Sequence, residues 1–237
     1  MISILMPLYN GAEFLYRSAA SVISQTYSDW ELLIGVNGLE EQECNRIIDK
    51  MNALHDDRIR VVSFSHKGKS KTLNELLAVS KYDVICLLDV DDRWVPQKLE
   101  KQLTYINDYD VVGSDCRYFG KKFGSPRIFL GKLTAPMFSF QNPVINSSVM
   151  MKKNGVHWEE EWEGLDDYNL WVNLLHQGKE FYNVPEILVY HRIHGKSYFN
   201  HSNEDLSQRL RRVKLTRLSV DECVGLESVI NKREWQL

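Results

Sequence analysis

The stretch Val84-Ile85-Cys86-Leu87-Leu88-Asp89-Val90-Asp91-Asp92 decides how the chain is read. Its first five residues are an unbroken apolar run, as expected of a strand buried on both faces. Three carboxylates follow at once. Packed so closely they repel one another and need a compensating cation. A hard divalent ion with oxygen ligands, Mg²⁺ or Mn²⁺, meets that need and can also hold a diphosphate. The tetrapeptide also reads as a solvated acidic turn capping a helix that begins near Pro96. Its place directly after a buried strand favours the ion.

Outward from this point the first half of the chain alternates regularly. Ile2 to Tyr9, Trp30 to Val36, Ile59 to Phe64, Val84 to Leu88 and Val111 to Gly113 read as strands. Helical spacing falls between them, near residues 12–25, 40–54, 70–80 and 96–107. Asn10 with Glu13 has the form of an N-cap and reciprocal acid, and Leu15, Ala19 and Val22 then share one helical face. Such alternation predicts an α/β fold: a mostly parallel sheet with helices on both sides. Ligands in such sheets bind beyond the carboxyl ends of the strands, where the acidic cluster lies.

The second half is less regular. Residues 117–141 mix glycine, proline, lysine and aromatics and read as an irregular excursion. Ser147 to Lys152 and Glu186 to Ile193 read as strands, and Asp167 to Gln177 as a helix. From Asn203 the chain reads as a basic helix carrying Arg209, Arg211, Arg212, Lys214 and Arg217.

Composition narrows the classes. The 237 residues carry a net charge of −3, which gives no general drive toward nucleic acid. Cys44, Cys86, Cys116 and Cys223 form no CxxC pair, which fits reduced thiols rather than a zinc site. The opening Met1-Ile2-Ser3-Ile4-Leu5-Met6 lacks a basic flank and meets Pro7, unlike a signal peptide, and no long apolar run predicts a membrane span. A cytoplasmic location is expected. The sequons at Asn146 and Asn200 carry no weight without a secretory signal.

Five segments in order resemble the family 2 glycosyltransferases, which have the GT-A fold. They are Met6-Pro7-Leu8-Tyr9-Asn10; Ser24-Gln25-Thr26-Tyr27; Leu88-Asp89-Val90-Asp91-Asp92-Arg93-Trp94-Val95-Pro96-Gln97-Lys98-Leu99; Asp166-Asp167-Tyr168-Asn169-Leu170-Trp171; and Tyr190-His191-Arg192-Ile193-His194-Gly195-Lys196-Ser197. The resemblance implies a Rossmann-like central sheet. It also implies inverting transfer of a sugar from a nucleotide-diphosphate donor to the hydroxyl of a glycan or other acceptor, with Mn²⁺ or Mg²⁺ bound. Residues 1–200 would form the GT-A domain, with a nucleotide-sugar half at 1–115 and an acceptor half at 116–200. Residues 201–237 would form a helical tail.

By the same resemblance Asp89 touches the donor ribose or the metal, Asp91 ligates the metal, and His194 completes the metal or diphosphate site. Asp167 is the candidate general base and Asp166 the alternate, though carboxylates there would also cap their helix. Arg192 lies where it can approach the diphosphate, whereas Lys196 reads as a solvated loop charge. Pro7, Tyr9 and Asn37 line the nucleobase end. Many relatives end the second strand with Asp-Asp-Gly-Ser, where this chain has Val36-Asn37-Gly38-Leu39. The amide of Asn37 can donate as well as accept, so uridine is the default donor base and guanosine or thymidine stay open. Asp92 either faces the acceptor or caps the following helix. Trp158 and Trp162, set among acids, read equally as a sugar-binding surface on the acceptor side or as anchors of an acidic loop.

Other signals are set aside. Gly68-Lys69-Ser70 lacks the glycine that a phosphate-binding P-loop needs five positions earlier, and no GxGxxG follows the first strand. A sugar nucleotidyltransferase should carry a glycine- and basic-rich loop at residues 9–20, which hold only Gly11 and Arg17. A non-catalytic nucleotide- or glycan-binding module is the remaining rival. The basic tail can rest on an anionic membrane or a partner, though a helix packed on the body is the plainer expectation.

Overall fold

The structure is a computed structural model and describes residues 1–162 and 164–194. Helices α1 (Leu15–Ile23), α2 (Glu41–Asn52) and α3 (Lys69–Val79) alternate with strands β1 (Ile2–Leu8), β2 (Trp30–Asn37), β3 (Ile59–Phe64) and β4 (Val84–Leu87). Beyond them come β5 (Arg93–Trp94), α4 (Lys98–Leu103), β6 (Val111–Gly120), β7 (Gly131–Leu133) and α5 (Ala135–Phe140). The described chain closes with β8 (Met150–Lys152), α6 (Asp166–His176) and β9 (Phe181–Ile193). All the described strands join one sheet of order β3-β2-β1-β4-β8-β6-β9-β5, with β7 paired to β9. The pairs β3–β2, β2–β1, β1–β4 and β6–β9 are parallel, and β8 runs antiparallel between β4 and β6.

The unbroken apolar runs follow from burial on both sheet faces. Ile2, Ile4, Met6 and Leu8 of β1 point into one core with Leu15, Ala19 and Val22 of α1 and Ile47 of α2. Leu5, with Leu33 of β2 and Ile85 and Leu87 of β4, points the other way, against Leu73 and Leu76 of α3 and Leu170, Trp171 and Leu174 of α6. Each fully buried side chain of this size stabilises the fold by roughly 1.5–3 kcal/mol. At Gly35 a Cβ would stand 2.6 Å from Thr72 Cγ2, so the missing side chain lets α3 lie close on the sheet. That close approach sets the start of α3 over the carboxyl ends of the strands.

The structure differs from the sequence-based expectation at several ends. Helix α1 starts at Leu15, later than the cap pattern at Asn10 and Glu13 predicts, and its N-cap Phe14 offers no side-chain hydrogen bond. Gly11, with φ +86°, turns the chain first. Residues 117–141 are more ordered than expected. β6 runs on to Gly120 because β9 is long enough to pair with it, and β7 and α5 follow. The expected strand at 147–152 is a 3-10 turn at Asn146–Ser148 followed by the short β8. Helix α4 is also shorter than the 96–107 pattern. The single sheet passes through both halves of the expected domain, while the 201–237 tail lies outside the described residues.

Candidate active site

Two carboxylate groups form where β4 ends. The backbone N–H of Leu88 donates to Leu5 O, which fixes the strand end, and that of Asp89 donates to Ser147 Oγ. The Asp89 carboxylate accepts from Asn146 Nδ2 and from Ser147 Oγ, and Lys69 Nζ stands 3.2 Å from its Oδ1. Lys69 opens α3 behind Gly68, whose φ of +121° suits glycine alone. It also lies 3.5 Å from Asp166 Oδ2, so one ammonium spans the end of β4 and the start of α6. Burial opposes charge on both partners, yet the attraction wins: Asp89 is held below the usual carboxylate range, and Lys69 above the usual lysine range.

Asp166 and Asp167 open α6 with different partners. Asp166 is buried and accepts from the Gly164 N–H. Asp167 accepts from Asn142 Nδ2 at 3.0 Å and from the Tyr168 N–H. Burial, then the neighbouring Asp166 charge, push the Asp167 carboxyl up to about 6, against the pull of Lys69.

Asp91 and Asp92 face the other way, toward the end of β9. Asp91 Oδ2 lies 2.8 Å from His194 Nε2. Burial, Asp92 and Asp89 together raise Asp91 to about 6. Asp92 is wholly buried. Its Oδ2 meets His191 Nδ1 at 2.9 Å, and its Oδ1 accepts the Arg192 N–H at 2.8 Å. Burial lowers the His191 pKa, but the Asp92 charge and hydrogen bond overcome it and raise the imidazole to about 9.

Three expectations, those for Asp92, Trp158 and Trp162, need correction. Asp92 cannot face an acceptor, because both oxygens are committed to the backbone and side chain of β9 in a solvent-free position. Trp158 is fully buried in the core beneath α3, and Asn74 brackets it by accepting its N–H and donating to its carbonyl. Trp162 is buried too, its ring N–H donating to Glu159. Neither ring offers a face to a sugar. Arg192 lies flat between Phe14 and Phe119, at 4.2 and 4.3 Å from their centroids, and its Nε donates to Asp91 O. Through these contacts it ties the turn before α1 to the end of β9. Lys196 lies outside the described residues.

Along the same carboxyl edge of the sheet, Asn37 at the end of β2 is buried. Its Nδ2 donates to Leu8 O, while its Oδ1 has no hydrogen-bond partner. Tyr9 is exposed, with Lys67 Nζ 5.9 Å from its ring centroid. Sequence reasoning missed Lys69, Asn142 and Asn146. Gly68-Lys69-Ser70 is no P-loop, and the signal it carries is a lysine that opens a helix after a strand.

The sequence model of glycosyl transferase family 2 matches residues 3–156, which hold β1, the acidic turn after β4 and Lys69. The chain is a family 2 glycosyltransferase. This family 2 glycosyltransferase is 28% identical over 237 residues to the O-antigen biosynthesis glycosyltransferase WbnJ of Escherichia coli, covering 91% of each chain. It is 27% identical over 206 residues to the E. coli UDP-Glc:alpha-D-GlcNAc-diphosphoundecaprenol beta-1,3-glucosyltransferase WfaP, covering 83% of this chain and 79% of that one. In fold it resembles S. aureus TarS 1-349 in complex with UDP-GlcNAc, with a TM-score of 0.72 at 14% identity over 98% of this chain and 70% of that one. It also resembles the mannosyltransferase PcManGT from Pyrobaculum calidifontis in complex with GDP-Man and Mn²⁺. There the TM-score is 0.66 at 14% identity, covering 83% of this chain and 58% of that one. The architecture is thus GT-A. Among the described residues no three His, Cys, Asp or Glu side chains converge as a metal site. No described helix is long and apolar enough to cross a membrane.

Proposed function

We propose that this glycosyltransferase moves a sugar from a nucleoside-diphosphate donor to a hydroxyl of a lipid-diphosphate-linked glycan, with inversion and with a divalent cation bound. The observation that carries the reading is the convergence of Asp89, Asp166 and Asp167 around Lys69, beside the Asp91–His194 pair. The acceptor class rests on relatives such as WfaP, whose name specifies a GlcNAc-diphosphoundecaprenol.

The donor set fits a hard cation of modest protein ligation. Asp91 and His194 would supply one oxygen and one nitrogen, while Asp89 is engaged by Lys69 and Asn146. Such ions are commonly held by one or two carboxylates together with substrate phosphates. The raised Asp91 pKa supports the same reading, since burial among like charges leaves negative charge uncompensated. When bound, the ion would neutralise the leaving diphosphate. Asp167 takes the proton of the attacking hydroxyl, whose oxygen bonds to the anomeric carbon from the face opposite the diphosphate. The bond from that carbon to the diphosphate oxygen breaks, and the nucleoside diphosphate leaves with its electron pair. A base near pKa 6 is ionised at neutral pH while still basic enough to accept this proton. The unpaired Asn37 Oδ1 would suit the ring N–H of uracil, thymine or guanine alike, so this contact does not choose among the three donors.

The test is nucleoside-diphosphate release from UDP-, GDP- and dTDP-sugars, with Mn²⁺ or EDTA, and with and without a polyprenyl-diphosphate-linked GlcNAc. One donor should respond, only with metal, and faster with the acceptor. Neither release nor metal-dependent binding of any nucleoside diphosphate would sink the proposal.

A further inference from the structure

The β6 strand ends in a projecting turn, Gly120-Lys121-Lys122-Phe123-Gly124, that none of the chemistry above uses. Phe123 is 78% exposed, more than any other large apolar side chain among the described residues. Lys121 and Lys122 beside it are exposed as well, and Lys122 Nζ lies 5.5 Å from the Tyr118 ring centroid. Residues 117–132 carry five lysines and arginines and no aspartate or glutamate, in a chain whose net charge is −3. Charge of one sign is thus concentrated on this excursion.

The turn is held in place. The Tyr118 N–H donates to Gly124 O at 2.7 Å, closing it, and the Lys121 N–H donates to Ile193 O at 2.8 Å. Gly120 and Gly124 have φ of +95° and +116°, which favour glycine on either side of the tip. Phe119, just before the turn, stacks on Arg192, whose Nε donates to the carbonyl of Asp91. The tip therefore projects from the sheet edge that carries Asp91 and His194. A single exposed phenylalanine is ordinary by itself; here it sits at the tip of a fixed turn beside exposed lysines, on a segment without acidic residues. An aromatic ring flanked by cations suits the boundary of an anionic bilayer: the ring enters the acyl boundary and the ammonium groups meet lipid phosphates.

We infer that the Gly120–Gly124 turn docks on the surface of a membrane containing anionic phospholipid and sets the active-site edge against it. The inference concerns binding alone and stands whether or not the proposed transfer reaction is right. Its test is co-sedimentation of the full chain with vesicles of phosphatidylglycerol and phosphatidylcholine, against phosphatidylcholine alone. The native chain should sediment with the anionic vesicles, and less as salt rises. Lys121→Gln with Lys122→Gln should weaken partitioning by about tenfold or more, and Phe123→Ser should weaken it separately. The basic residues after Asn203 stay intact in these variants, so any loss reports on the turn. Unchanged thermal melting would show that the variants remain folded. Native-level sedimentation of the variants would overturn the inference. So would binding to heparin that needs both lysines but is indifferent to Phe123, which would assign the turn to a soluble polyanion.

Discussion

Lys69 Nζ stands 3.2 Å from Asp89 Oδ1, and the pair joins two elements that the chain separates by a strand and a turn. The same ammonium lies 3.5 Å from Asp166 Oδ2, with Asp167 close enough for the cation to lower its pKa. Removing Lys69 would leave buried carboxylates facing one another without a counter-charge, a costly arrangement. Lys69→Met should therefore reduce turnover by about a hundredfold or more, as expected when a positioned base is compromised. It should also move the acid limb of the pH–rate profile upward, because the pull that lowers Asp167 is gone. Lys69→Arg should restore part of the rate and return the limb toward the native position. A Lys69→Met enzyme with a native pH profile would show that the lysine only braces the fold.

The proposed base, Asp167, must be ionised to accept a proton, so activity should fall as pH drops through about 6. Asp167→Asn keeps the size of the side chain and an oxygen for Asn142 Nδ2. Donor binding, measured by calorimetry with Mn²⁺, should remain within a few-fold of native, while transfer drops by roughly 10² to 10⁴. Asp166→Asn removes the neighbouring charge that raises Asp167, so the acid limb should move to lower pH while donor affinity stays near native. Full transfer by the Asp167→Asn enzyme would remove it as the base.

Much of this was legible in the chain. The alternation of apolar runs placed β1 to β4 and α1 to α3 because both faces of those strands are buried, and burial leaves a continuous signature. Asp89 and Asp91 stood out through their position directly after a strand, and Asp167 through the resemblance of its segment to the family 2 motif. The acceptor side stayed open between two readings for a physical reason. Trp158 and Trp162 sit among acids in sequence, but the rings turn into the core and leave the acids outside, a choice made by tertiary packing. Asp92 read as an acceptor contact or a helix cap because spacing cannot say which way a carboxylate turns. Its partners, His191 and the Arg192 N–H, come from a strand about a hundred residues later. Lys69 was hidden likewise, since its partners come from two distant elements.

The Asp91–His194 contact makes a metal prediction with a pH sign. In metal-free protein Asp91 titrates near 6, and cation binding requires the carboxylate. Nucleoside-diphosphate binding in Mn²⁺ should therefore weaken as pH falls through about 6. Asp91→Ala should abolish the metal-dependent part of that binding, and His194→Ala should weaken it by about tenfold or more. Equal binding in Mn²⁺ and EDTA by the native protein would rule out a cation held at this pair.

The buried His191–Asp92 contact has a separate consequence for stability. The folded His191 pKa is about 9, above its unfolded value of about 6.5, so the charged imidazole is favoured by folding. This contribution is fully present below about pH 6.5 and is lost as pH rises through 9. The His191 side chain is 34% exposed, so solvent screening trims the effect to about 1–2 kcal/mol. Urea denaturation in EDTA should therefore show stability declining between pH 6.5 and 9. Asp92→Asn should flatten that slope and lower stability at pH 6.5, because it removes the buried charge that holds the imidazolium. It should also loosen the end of β9, since the Arg192 N–H would lose a charged acceptor. An Asp92→Asn protein that keeps the native slope would place its origin in another group, leaving Asp92 only its hydrogen bond to β9.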